Sequence, residues 1–239
     1  MLGVMPTSLW LRTDERKRGP RPTYTLDDIG EACVRLVDSE GMRALSMRRV
    51  ADALGTSAAS LYRYVAGKDD LLALMADRVA AEFDFPPLTG DVRTDVLAIA
   101  QQSRSLHRRH PWLRDTPATD LGPNSIRYLD RLVGALAPAG LDATATMMGV
   151  ALISGWVTNF AAQESAGETA SASGGGAAHM SEMLAHGDYP HLRALFTSDS
   201  SGAATTLDND AAFVAGLDAM LFGIAPAASR TEPPRPERK

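Results

Sequence analysis

The chain of 239 residues has one cysteine, Cys33, which excludes an internal disulfide framework and a cysteine-based zinc site. Cys33 falls on the apolar side of a predicted helix, so a buried structural thiol is expected. No apolar run approaches the roughly 18 residues a membrane span needs, and no charged-then-apolar secretory signal opens the chain, so a cytoplasmic protein without a membrane partner is expected. Strand-like alternation and internal repeats are missing, which makes the fold class all-α. Also missing are a glycine-flanked phosphate loop, a nucleophile elbow and a zinc-protease motif, so no enzyme is expected. His179, Glu182 and His186 recur at i, i+3 and i+7. Two histidines and a carboxylate beside a glycine-rich stretch are common by chance, and neither a metal site nor a cofactor is assigned.

What is present is the composition of a globular protein, 45% hydrophobic and 22% charged. A basic surplus is absent overall, since the net charge is −5. Its distribution says more. From Met1 to Lys68 there are 11 Lys+Arg against 8 Asp+Glu, and from Asp69 onward 13 against 21. Phosphate contacts supply most non-specific DNA affinity, so a surplus confined to one end marks the end that faces nucleic acid.

That end carries the most informative stretch. Ser46 is placed to cap a helix whose apolar positions Met47, Val50, Ala51 and Leu54 follow the helical period, and Gly55 supplies a left-handed stop. Thr56 and Ser57 can cap the next helix, whose leading turns are small or hydroxylated: Ser57, Ala58, Ala59 and Ser60. Two short helices joined by a glycine turn have the geometry of a helix-turn-helix, whose second helix enters the major groove. Upstream, Thr25 starts a helix with Ile29, Ala32, Cys33, Leu36 and Val37 inward, closed by Glu40-Gly41. Downstream, a fourth helix runs from Lys68 to about Phe83, and Phe85-Pro86-Pro87 marks a domain boundary.

The run Leu45 to Ala51, with Leu54-Gly55, Ser60-Leu61-Tyr62-Arg63-Tyr64-Val65 and Gly67-Lys68-Asp69-Asp70-Leu71-Leu72, resembles the DNA-binding domain of the TetR family of repressors. The likeness spans roughly Tyr24 to Leu74. It implies that Arg48 reaches a base edge, most plausibly of guanine, that Ala58 and Ala59 offer methyl groups to thymine, and that Ser57, Tyr62, Tyr64 and Lys68 hold phosphates. Ser46, Thr56 and Ser60 belong to the same face. Arg21 belongs to a basic arm, residues 1–23, that either lies in a minor groove or is a solvated tail. Within the arm, Trp10 docks on the helical body in one reading.

The organisation that follows is an arm (1–23), a helix-turn-helix domain with its connecting helix (24–84), a helical ligand-binding and dimerisation domain (85–225) and a disordered tail (226–239). Helices are predicted for Asp91 to His107, about Asn124 to Ala137, Asp142 to about Glu164, and Asp208 to about Ile224. Shorter ones fall at His179 to Ala185 and His191 to Phe196. Ser165 to Ala178 is low-complexity and expected to be unstructured, long enough for a lid over a pocket or for a plain linker. The helix from Asp142 is apolar almost all round and has to be covered on several sides.

Resemblance to the family implies a ligand cavity among the middle helices. Leu106, His107, His110, Trp112, Tyr128, Leu132, Met148, Leu152, Trp156 and Phe160 are its candidate lining. The family also implies dimerisation through a four-helix bundle, for which Met147, Ala151, Phe213, Leu217, Met220 and Leu221 are the candidates. The expected partners are a palindromic operator in double-stranded DNA, a small-molecule effector and a second copy of the chain. The fourth helix is expected to be the one element joining the DNA-reading helices to the C-terminal domain. A constitutive or architectural DNA-binding protein, and a helical adaptor using its helix-turn-helix for protein contacts, stay open.

Overall fold

The computed structural model describes residues 8–12, 23–116, 120–173, 175–198 and 209–224. Arg21, with residues 1–7 and 13–22 of the basic arm, and the tail beyond Ile224 lie outside the described residues. Among those described there are helices and turns but no strand. A short helix α1, Leu9–Arg12, precedes the DNA-reading unit of α2 (Leu26–Glu40), α3 (Met47–Ala53) and α4 (Ala58–Leu61). Helix α5 (Lys68–Ala80) leads to the second body: α6 (Val92–Arg109), a 3₁₀ turn Pro111–Asp115, α7 (Pro123–Leu136), α8 (Ala143–Ser173), α9 (Gly175–His186), α10 (Pro190–Ser198) and α11 (Asn209–Ile224).

Local chemistry accounts for the starts and stops. Thr25 and Asp28 form a reciprocal capping box at α2, which satisfies two otherwise orphaned N–H groups. The side chains of Ser46, Ser57 and Asp91 accept from the backbone of Arg49, Ser60 and Thr94, capping α3, α4 and α6. Gly55 opens the turn after α3 at φ +69°, a conformation in which a side chain would be strained. Ile29, Cys33, Val37, Val50, Leu61, Leu71 and Met75 close the first core. Burial pushes the Cys33 thiol up to about 12, so it stays protonated and inert. The second core, around Val96, Leu132, Ile153, Val157, Phe213 and Leu217, lies between α6, α7, α8 and α11.

Four expectations are corrected. Helix α5 ends at Ala80, short of Phe83, because Phe83 leaves to stack on Phe85 at 5.6 Å and to pack tilted against Tyr128 at 4.7 Å. Helix α8 continues to Ser173 and α9 begins at Gly175, so the described residues of Ser165 to Ala178 are helical rather than an unstructured lid. Its alanines are strong helix formers and outweigh the glycines. The segment Ala143–Gly167 is long and apolar enough to cross a membrane by length and composition, because its one charge is Glu164 and its other polar residues are uncharged Thr, Ser, Asn and Gln. Finally, α5 is not the one link between the two bodies, because Asp38 of α2 also holds His110 and Trp112.

Candidate nucleic-acid interface and the joint behind it

The residues expected at DNA are brought together on one face, at the start of α3 and along α4. Arg48 is exposed, whereas its neighbour Arg49 is folded back on Glu40 through bonds of 2.6 and 2.7 Å. Helical geometry therefore leaves Arg48 as the outward guanidinium of α3. Ser46, Ser57 and Ala59 are exposed, Thr56 and Ser60 half-buried, and Tyr62 is 56% exposed. Ala58 departs from expectation. It is half-buried and packs on the first core, so of the two methyl groups that of Ala59 stands outward.

Tyr64 is also half-buried, with its hydroxyl oxygen accepting from the Thr23 N–H at 3.2 Å and its ring edge-on to Tyr24. It ties the end of the arm to α4. Tyr24 in turn donates to the Leu54 carbonyl at 2.7 Å, fixing α2 against the turn. Lys68 is exposed at the first position of α5, behind Gly67, which supplies no side-chain cap. A lysine beside the N–H groups of an uncapped helix start suits an anion.

Behind this face the two bodies are bolted together at separate places. On one side Asp77 of α5 is 4% exposed and accepts from Asn124 Nδ2 at 2.9 Å and the Ser125 N–H at 2.8 Å. On the other, Asp38 of α2 accepts from His110 Nδ1 at 3.0 Å and Trp112 Nε1 at 2.7 Å. Glu82 stands 3.6 Å from His110 Nε2 and holds Arg109 at 2.7 Å. His110 and Trp112 thus belong to this joint and not to a cavity lining, and Leu106 and Trp112 complete the first core. Sequence pattern missed Asp38 and Asp77, because a carboxylate on a helix carries no sign of a partner dozens of residues away.

Of the other cavity candidates, His107 and Tyr128 gather with Ser103, Ser154 and Thr158 between α6, α7 and α8. His107 Nδ1–H donates to the Ser103 carbonyl at 2.9 Å, which leaves Nε2 to accept from Thr158 Oγ1 at 3.3 Å. Burial holds the His107 imidazole below its ordinary range, hence neutral. Burial also raises the Tyr128 phenol, which bonds to Ser154 and Ser103. A small void of about 10 Å³ adjoins His107, Pro111 and Thr158. Leu132 is wholly buried in the second core, and Trp156 and Phe160 pack on Phe213. Met148 and Leu152 are not brought to this cluster: at 60% and 47% exposure they face outward.

The dimerisation candidates divide the same way. Met147 and Ala151 are exposed on α8, and Met220 and Leu221 are half-buried on α11. Phe213 and Leu217, 0% and 1% exposed, face their own chain's core and cannot also face a partner. Phe222, 75% exposed, was not among the candidates. An apolar all-round helix reads alike on both faces, so only packing reveals which side is spent internally.

A helix-turn-helix unit presenting Arg48, Ala59 and Lys68, mounted on a larger helical body, defines a helix-turn-helix DNA-binding regulator. Residues 29–75 match the family described as bacterial regulatory proteins, tetR family, and residues 86–227 match the tetracyclin repressor-like C-terminal domain. This chain belongs to the TetR family, whose members are transcription factors. It is 33% identical over 219 residues to an HTH-type transcriptional regulator of Saccharopolyspora erythraea, covering 90% of this chain and 92% of that protein. It is 41% identical over 157 residues to the HTH-type transcriptional repressor DrrR1 of Streptomyces coeruleorubidus, covering 64% of this chain and 58% of that relative, less than two thirds of its length.

Among solved structures, ActR of Streptomyces coelicolor in complex with actinorhodin matches with a TM-score of 0.72 at 29% identity, covering 88% of this chain and 99% of that one. ActR in complex with (S)-DNPA matches at 0.69 and 31% identity, covering 86% and 98%.

Proposed function

We propose that this protein is a homodimeric repressor that holds a palindromic operator and is released from it by an apolar or aromatic small molecule bound between α6, α7 and α8. One observation carries the switch. Helix α6 contributes Ser103 and His107 to the buried polar cluster, and less than one turn further on His110 grips Asp38 of the DNA-reading unit. A ligand wedged at His107 displaces the end of α6, and with it a helix that carries the DNA face. A few convergent polar groups in an apolar surround suit a small aromatic molecule, and the ActR complexes support a ligand in a related fold. Two recognition helices have to sit about 34 to 36 Å apart for half-sites one turn apart, so a modest tilt spoils the spacing.

The dimer is supported by α8, of whose apolar window 28% is buried in its own chain. Met147, Met148, Ala151 and Leu152 on α8 and Phe222 on α11 form an outward apolar face suited to a second copy.

Allosteric coupling is typically about 1–3 kcal/mol and reciprocal. An aromatic effector is therefore expected to weaken operator binding roughly five- to 150-fold, and the operator to weaken effector binding by the same factor. Titrating candidate aromatic compounds against a labelled operator recovered by selection from random duplexes measures both arms. A compound that binds tightly at the polar cluster yet leaves operator affinity unchanged would sink the switch.

Readout is divided between Arg48 and Lys68. Arg48→Ala is expected to relax specificity at one base pair by roughly 1–3 kcal/mol, whereas Lys68→Ala weakens all duplexes alike and lowers the salt slope by about 1. Competition binding across single-base operator variants checks this. Equal losses on every variant for both mutants would contradict the division.

A further inference from the structure

Helix α1 has no part in that scheme, yet it sits where the two bodies meet. The Asp120 carboxylate, just ahead of α7, accepts from Ser8 Oγ at 2.7 Å and from the Leu9 N–H at 3.0 Å. Leu9 is 1% exposed and belongs to the core of the DNA-reading unit. Trp10 lies in a crevice of about 220 Å³ lined by Leu26, Leu74 and Asp77 on one side and Pro123 and Asn124 on the other. Gly122 permits this approach. A Cβ there would collide with the Trp10 ring and with the Asp77 carboxylate. One turn of helix thus touches α2 and α5 with its apolar side chains and holds the start of α7 with its N-terminal polar groups.

We propose that Ser8–Arg12 is an interdomain clasp: an internal docking segment that fixes the angle between the DNA-reading unit and the C-terminal body, and so sets operator affinity without meeting DNA. The anchoring carboxylate comes from the C-terminal body, while the buried side chain enters the core of the other. A segment with one foot in each resists their relative rotation. Operator binding needs one interdomain angle, and a clasped joint has less disorder to lose when it is selected. This rests on DNA binding by the chain and is independent of the ligand switch.

The test uses the full chain and the selected operator duplex. Asp120→Asn, Ser8→Ala, the double variant and Trp10→Ala are each titrated at several salt concentrations, with amide exchange followed over the ends of α5 and α7. The clasp predicts that Asp120→Asn weakens operator binding three- to tenfold, that adding Ser8→Ala costs nothing more, and that the salt slope stays at the wild-type value while exchange at both helix ends quickens. Trp10→Ala should act in the same direction with the same slope. Asp120→Asn affinity within twofold of wild type, or a Trp10→Ala loss accompanied by a shallower salt slope, would overturn it, the latter placing α1 at the phosphates. The Ser8→Ala and Asp120→Asn pair keeps the test decisive if Trp10→Ala melts the protein.

Discussion

Arg104→Ala is expected to lower the unfolding free energy by about 3–5 kcal/mol, a large loss for a side chain the DNA never meets. Arg104 and Glu164 side chains are each 8% exposed, and the guanidinium is bonded to both Glu164 oxygens and, through Nη1, to Asp210 at 2.8 Å. Its Cζ lies 4.7 and 5.1 Å from the ring centroids of Phe213 and Phe160. The Glu164 hydrogen bonds, ahead of burial working against them, raise its pKa and keep it charged. Taking the cation away leaves Glu164 buried and uncompensated between α6, α8 and α11, which is where the cost arises. Asp210, with 77% of its side chain exposed, returns to water at little cost. Urea unfolding gives the number. Replacing both partners with apolar residues, Arg104→Met with Glu164→Leu, should recover most of it, and a single-variant loss below about 1 kcal/mol would show the pair to be solvated.

Phe213→Ala and Phe222→Glu should separate two roles that one apolar helix carries. Phe213 is fully buried among Trp156, Phe160 and Arg104, so truncation should cost about 3–5 kcal/mol of chain stability. Phe222, 75% exposed on the same helix, has little to lose within the chain. Placing a charge there, together with Met148→Glu, should leave the helical content intact but give a monomeric mass in sedimentation. Operator affinity should then fall by about 10² or more, since the second half-site no longer binds as part of one molecule. A folded, dimeric double variant would move the interface elsewhere.

Much of this protein was legible before any coordinates. The caps Thr25, Ser46, Ser57 and Asp91, the left-handed Gly55 and the apolar period of α2 are local features, set by interactions a few residues apart. They determine where helices begin and end, and with the spacing of Leu61, Tyr62, Tyr64 and Lys68 they determine the DNA-reading unit and its family. The charge asymmetry pointed to the end that carries it. In Ser165 to Ala178 composition and propensity point opposite ways: a glycine cluster spanning three residues predicts an unstructured stretch, while the alanine-rich neighbours fold as helix.

Long-range pairing decided the rest. Asp38 finds His110 and Trp112 more than 70 residues away, Asp77 finds Asn124 and Ser125, and Asp120 finds Ser8 over a gap of 112. None of these carboxylates differs locally from a solvated surface acid. Likewise the apolar positions of α8 and α11 are chemically alike all round, and packing alone turned Phe213 and Leu217 inward and left Met148, Leu152 and Phe222 outward. Periodicity assigns a side chain to a helix face. Which neighbour covers that face depends on how helices from distant parts of the chain come together, and that is where this protein keeps its joint, its polar cluster and its outward apolar face.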